Sequence, residues 1–109
     1  MKILRIHVRP FAFEEVVGSL EAEGFAGMTL SEVHAPFGGG AQAGRYRGAP
    51  LWRPGVMKIE IMLALHDDRV ERAIRALARC TSDPDLSVTV QPLERALRIR
   101  TGEIDEAAL

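Results

Sequence analysis

The 109 residues predict a single α+β domain in which two βαβ halves share one antiparallel sheet. Three observations carry that prediction. Two segments, residues 2–9 and 56–65, alternate apolar and polar side chains with a period of two, as half-buried strands do. Two others, beginning near Phe13 and Val70, repeat apolar residues at helical spacing. The order is strand, helix, strand, a long glycine-rich stretch, and then strand, helix, strand again.

In the first half, Leu4, Ile6 and Val8 face one way and Arg5, His7 and Arg9 the other, and Pro10 stops the strand because it cannot donate to a ladder. Phe13, Val16, Val17 and Leu20 form the stripe of a helix that Gly24 ends, and residues 28–35 read as the second strand. In the second half, Ile59, Ile61 and Leu63 oppose Lys58 and Glu60 on the longest strand. Asp67 is placed to cap the next helix, whose stripe is Val70, Ala73, Ile74, Leu77 and Ala78. Asp83-Pro84-Asp85 is a turn, residues 86–90 a fourth strand, and residues 94–109 a C-terminal segment that Thr101-Gly102 interrupts. This is the ferredoxin-like βαββαβ plan, one domain over residues 1–109, with both helices on one sheet face. The other face carries Arg5, His7 and Arg9 beside apolar neighbours, a surface suited to burial against other subunits.

Composition narrows the function. With 47% hydrophobic and 27% charged residues the chain is expected to fold, and a domain this small buries roughly 60–70% of its unfolded surface, leaving little room for a self-contained pocket. A ligand site is therefore expected between subunits. Fourteen basic and fifteen acidic residues give a net charge of −1, which provides no polycationic surface for nucleic acid, and the strands lack stacking aromatics for RNA. Cys80 alone allows no internal disulfide, and no Cys/His cluster has zinc spacing. The start Met1-Lys2-Ile3-Leu4-Arg5 runs into a charged strand, so no signal peptide is expected. No apolar run reaches the ~20 residues of a membrane span, so no membrane insertion is expected and a reduced cytoplasmic setting is.

Residues 36–55 change character. They hold six of the ten glycines, three of the six prolines and the arginines Arg45, Arg47 and Arg53, with no acid. With Tyr46 and Trp52 they combine a pliable backbone with the residue types that anchor interfaces, and are expected to dock a partner; the alternative is a loop whose aromatics fold back on the body. Arg98 and Arg100, two apart on a segment expected to be extended, would share one face and offer two forked donor sets to a phosphate chain. The alternative is a pair neutralised by acids of a neighbouring element. Gly38-Gly39-Gly40 lacks the lysine and following helix of a P-loop. His7, His34 and His66 form no metal motif, no nucleophile–base arrangement is present, and no catalytic or metal-binding residue is expected.

Several runs together resemble the PII signal-transduction family (nitrogen regulatory protein P-II). Gly24-Phe25-Ala26-Gly27-Met28-Thr29-Leu30-Ser31-Glu32-Val33 is similar to its G-hydrophobic-x-G-M-T-V-T-E-V run, Tyr46-Arg47-Gly48-Ala49 to the YRGA of its T-loop, Lys58-Ile59-Glu60-Ile61 to its KIE strand, and Arg98-Ile99-Arg100-Thr101-Gly102-Glu103 to its RIRTGE ending. The resemblance spans the chain in order. It implies a homotrimer of ferredoxin-like subunits, ATP or ADP in the clefts between them, and a T-loop, here about residues 36–55, that regulates an enzyme or membrane transporter. It implies a regulator and not an enzyme. Arg98 and Arg100 fall on the family's phosphate-contacting arginines, Thr29 on its base pocket, and Arg45, Tyr46, Arg47, Trp52 and Arg53 on the docking loop.

The departures are specific. No tyrosine stands near Leu51, where enteric members are uridylylated. The family's TGxxGDGK loop is replaced by Thr81-Ser82-Asp83-Pro84-Asp85-Leu86-Ser87, which loses cations and glycines and is expected to weaken a triphosphate site. Its GFGRQKG is replaced by Ala35-Pro36-Phe37-Gly38-Gly39-Gly40-Ala41-Gln42, which puts Mg and 2-oxoglutarate in question. His7 replaces an apolar residue. The expectation is a divergent PII-like regulator; the alternative is a metal- or bicarbonate-responsive PII-like module without ATP and 2-oxoglutarate sensing.

Overall fold

The computed structural model describes residues 1–35, 44–46, 49–51 and 56–109. The strands in chain order are β1 (Lys2–Val8), β2 (Thr29–Ala35), two short ones, β3 (Gly44–Tyr46) and β4 (Ala49–Leu51), then β5 (Val56–Leu65) and β6 (Ser87–Pro92). The four long strands form one antiparallel sheet in the order β2-β5-β1-β6, and β3 and β4 pair with each other. The helices α1 (Phe13–Ala22) and α2 (Val70–Ala78) supply the βαβ crossovers. The chain thus has the expected α+β ferredoxin-like fold.

The period of two decides the layers. Leu4, Ile6 and Val8 of β1 are buried beside Ile61, Leu63 and Leu65 of β5, and Val16, Leu20, Phe25, Val70, Ala73, Ala76 and Leu77 close over them. The two helices meet through small residues, and the Ser19 hydroxyl donates to the Ala76 carbonyl at 3.0 Å. The stripe of α2 therefore runs through Ala76 and not Ala78, which is exposed, a correction to the expected stripe. Among the described residues no helix covers the opposite sheet face. Its rows are Thr29–Met62–Arg5–Thr89 and Ser31–Glu60–His7–Ser87, read across β2, β5, β1 and β6.

Three local expectations change. Asp67 does not cap α2: a single 3-10 turn (Asp67–Arg69) precedes the helix, and the Asp67 carboxylate instead bonds the backbone amine of Met1 at 2.8 Å, which holds it below its ordinary range. The segment bearing Arg98 and Arg100 is extended only through Leu97. Residues 99–101 turn, and Leu97 bridges Ile104 on the returning chain. The fourth strand runs two residues later than expected at its C-terminal end, because β6 stays paired with β1 as far as Lys2.

Candidate ligand-binding site

The C-terminal arginines sit on a closed hairpin. The Arg98 N–H donates to the Glu103 carbonyl at 2.9 Å, and the Gly102 N–H returns to the Arg98 carbonyl at 2.8 Å. That turn needs Gly102 at φ +75°, a conformation other residues adopt only with strain. Thr101 braces it by donating its hydroxyl to Glu103 at 2.8 Å. Arg98 Nε donates to the Ala108 carbonyl at 2.9 Å, which anchors the side chain to the C-terminal turn. Among the described residues neither Arg98 nor Arg100 pairs with a carboxylate. The two arginines do not share a strand face: Arg98 precedes the turn and Arg100 lies within it.

Thr29 begins β2 at the other edge of the sheet, exposed and opposite Met62. The connection before it, residues 24–28, lines a surface cleft of about 510 Å³ together with Val17, Glu21 and Leu30. Leu30 is 50% exposed there, an apolar side chain that the subunit's own helices leave uncovered. Thr29 begins the strand at one edge of the sheet, and the arginine hairpin lies on the chain that continues, after residues 93–97, from β6 at the other edge.

On the helix-free face, Glu60 joins two basic residues of β1. It accepts from Arg5 at 2.9 Å and pairs with His7 Nε2 at 2.8 Å, and Arg5 Nε also donates to the Gln91 side chain at 3.1 Å. The hydrogen bond to His7, then that to Arg5, holds the Glu60 carboxyl below its ordinary value. His7 is thus engaged by a carboxylate. His34 lies near Glu32 at 3.5 Å, and among the described residues no group of three or more His, Cys, Asp or Glu is placed to hold a metal ion. Lys58 lies on this face opposite Val33 with no ion pair among the described residues. Cys80 is half-buried and burial pushes its thiol up, the opposite of a nucleophile's tuning.

In the 81–87 loop the two acids face different ways. Asp83 is only 4% exposed and turns inward, accepting from the Arg9 N–H at 2.9 Å and the Asp85 N–H at 2.9 Å, so Asp85 alone faces out. The sequence marks a turn there but gives no sign of its tie to the end of β1. Of the docking residues, Arg45 and Tyr46 lie on β3, and Arg47, Trp52 and Arg53 lie outside the described residues, as do Gly38-Gly39-Gly40 and Gln42.

The described residues form a ferredoxin-like α+β domain with an apolar cleft beside β2 and, among those residues, two C-terminal arginines without a carboxylate partner. Comparison with known proteins gives the family. The family model for nitrogen regulatory protein P-II matches residues 1–103. The chain is 36% identical, over 100% of both chains, to the nitrogen regulatory protein P-II of Cereibacter sphaeroides and to the nitrogen regulatory protein GlnK of Escherichia coli (strain K12). It is 37% identical to the nitrogen regulatory protein P-II of Bradyrhizobium diazoefficiens over 94% of this chain and 95% of that one. The chain belongs to the P-II family, a family of signalling regulators. Among the described residues no helix is long and apolar enough to cross a membrane.

Proposed function

We propose that the protein is a trimeric P-II-type regulator in the cytoplasm. It binds an adenine nucleotide, or a small effector in its place, in clefts between subunits, and controls a target enzyme or transporter through residues 36–55. Nitrogen status, which its relatives' names carry, is the signal this reading assigns to it.

One observation supports the reading: an apolar cleft lined by residues 24–28 and Leu30 stands beside the edge strand that Thr29 begins, and the Arg98/Arg100 hairpin, without a carboxylate partner among the described residues, lies on the chain that continues from the strand at the other edge. The reading takes the two as parts of one ligand site completed where two copies meet. The inward turn of Asp83 leaves Asp85 as the exposed acid of the loop that lost its lysine, and both charges weaken phosphate binding there. Mg and 2-oxoglutarate have no part in this reading, since no Arg-Gln-Lys triplet stands at the loop base.

Calorimetric titration of ATP, ADP and AMP tests it. At least one should bind, and Arg98→Ala and Arg100→Ala should each weaken it about 10- to 100-fold, the worth of a charge-assisted hydrogen bond. No heat from any of the three, or variants that bind as the parent does, would end the nucleotide reading.

A further inference from the structure

The connection from α1 to β2 turns through two glycines with positive φ, Gly24 at +84° and Gly27 at +72°. Glycine has the widest backbone freedom, so such a turn is held by what touches it rather than by its own sterics. Phe25 holds it from inside, buried in the core at 2% exposure. Arg69 holds it from outside. Its guanidinium carbon lies 4.5 Å from the centre of the Phe25 ring, and Nη2 donates to the Gly24 carbonyl at 3.3 Å. Among the described residues Arg69 has no carboxylate partner, whereas its neighbours Arg72 and Arg79 both grip Glu23, at 3.0 and 3.1 Å. The charge of Arg69 is thus directed at one aromatic ring and one carbonyl of the turn.

We infer that Arg69 is a positioning residue for the ligand cleft. By stacking on Phe25 and closing on Gly24 it fixes residues 24–28, and so sets where Met28 and Thr29 stand at the β2 edge. This rests on the reading above that this edge takes the base of the ligand. Arginine is the residue type such a position calls for. A guanidinium can stack flat and donate in its own plane at once, while lysine donates without stacking and methionine fills without donating. Because Arg69 comes from the turn before α2, the second βαβ half positions an edge built by the first.

The test uses the full chain, with Arg69→Met, Arg69→Lys and, as a control, Arg79→Gln, which removes one partner of Glu23 at the same helix pair but leaves the turn untouched. Two readouts are taken: nucleotide affinity by calorimetry, and amide hydrogen exchange at residues 25–28. Arg69→Met should speed exchange there and weaken nucleotide binding, each about three- to tenfold, the combined worth of a partly exposed cation–π contact and one hydrogen bond. Arg69→Lys should fall between, and Arg79→Gln should move neither. Unchanged affinity in Arg69→Met, while Arg98→Ala still weakens binding, overturns the positioning role and leaves the proposed function standing. Equal losses in Arg69→Met and Arg79→Gln also overturn it, because a general loosening of the helix pair would suffice. A parent protein that binds no nucleotide overturns both.

Discussion

Glu60→Gln removes one charge from the centre of the bare sheet face while keeping the side chain's shape. Glu60 is 18% exposed and accepts from Arg5 at 2.9 Å and His7 at 2.8 Å; those partners are 38% and 36% exposed. A charge-assisted hydrogen bond contributes about 1 kcal/mol more than a neutral one, so two give about 2 kcal/mol before screening, and the exposure of the partners reduces this to roughly 1 kcal/mol. The sign with pH follows from the direction of the shift. The carboxyl is held below its ordinary 4.5, chiefly by the His7 bond and then by Arg5. A group depressed in the folded state stabilises the fold above its unfolded value and loses that contribution as pH falls through the folded one. Urea unfolding of parent and variant at one fixed protein concentration should therefore show the parent ahead at neutral pH, with the gap closing below 4.5. A gap that stays fully open well below pH 4.5 would show that the carboxylate's charge is not what stabilises this face.

Other outcomes follow from single contacts. Asp83→Ala leaves the Arg9 and Asp85 N–H groups without their acceptor, and should cost about 2–3 kcal/mol in urea unfolding. Gly102→Ala meets nothing within 4 Å, so its cost is backbone strain alone, about 1 kcal/mol; because that strain falls on the arginine hairpin, nucleotide affinity should drop more than global stability does. Deleting residues 38–53 should leave the assembled protein folded and abolish capture of its target. Dissociation of the assembly on that deletion would make the loop a clamp instead.

The fold is legible in the sequence because its signals are local. Alternation at Leu4, Ile6 and Val8 and helical spacing at Val16 and Leu20 each need only one element's sequence, and burial follows them. What depends on register is not legible. His7 opposite Glu60, with Arg5 on the diagonal, is a property of how β1 meets β5, and neither strand alone announces it. Asp67 carries the signature of a cap, but the backbone amine of Met1 reaches it at 2.8 Å and takes the carboxylate. Arg98 and Arg100 stand out as residue types suited to phosphate, yet the face they are expected to share does not form, because Gly102 reverses the chain just beyond them. Arg69 offers no signal in sequence at all: its partners Gly24 and Phe25 come from the other βαβ half.

Shared occupancy of one ligand by two chains is tested most directly by mixing inactive subunits. Thr29→Glu spoils only the cleft edge, and the double variant Arg98→Ala, Arg100→Ala spoils only the hairpin. Each alone should fail to bind nucleotide. After the two are unfolded together and refolded in equal amounts, random assembly pairs an intact edge with an intact hairpin at about one quarter of the sites, and that fraction of binding should return. Mixtures that stay inactive, or a solution mass of one chain, would contradict a site built across subunits.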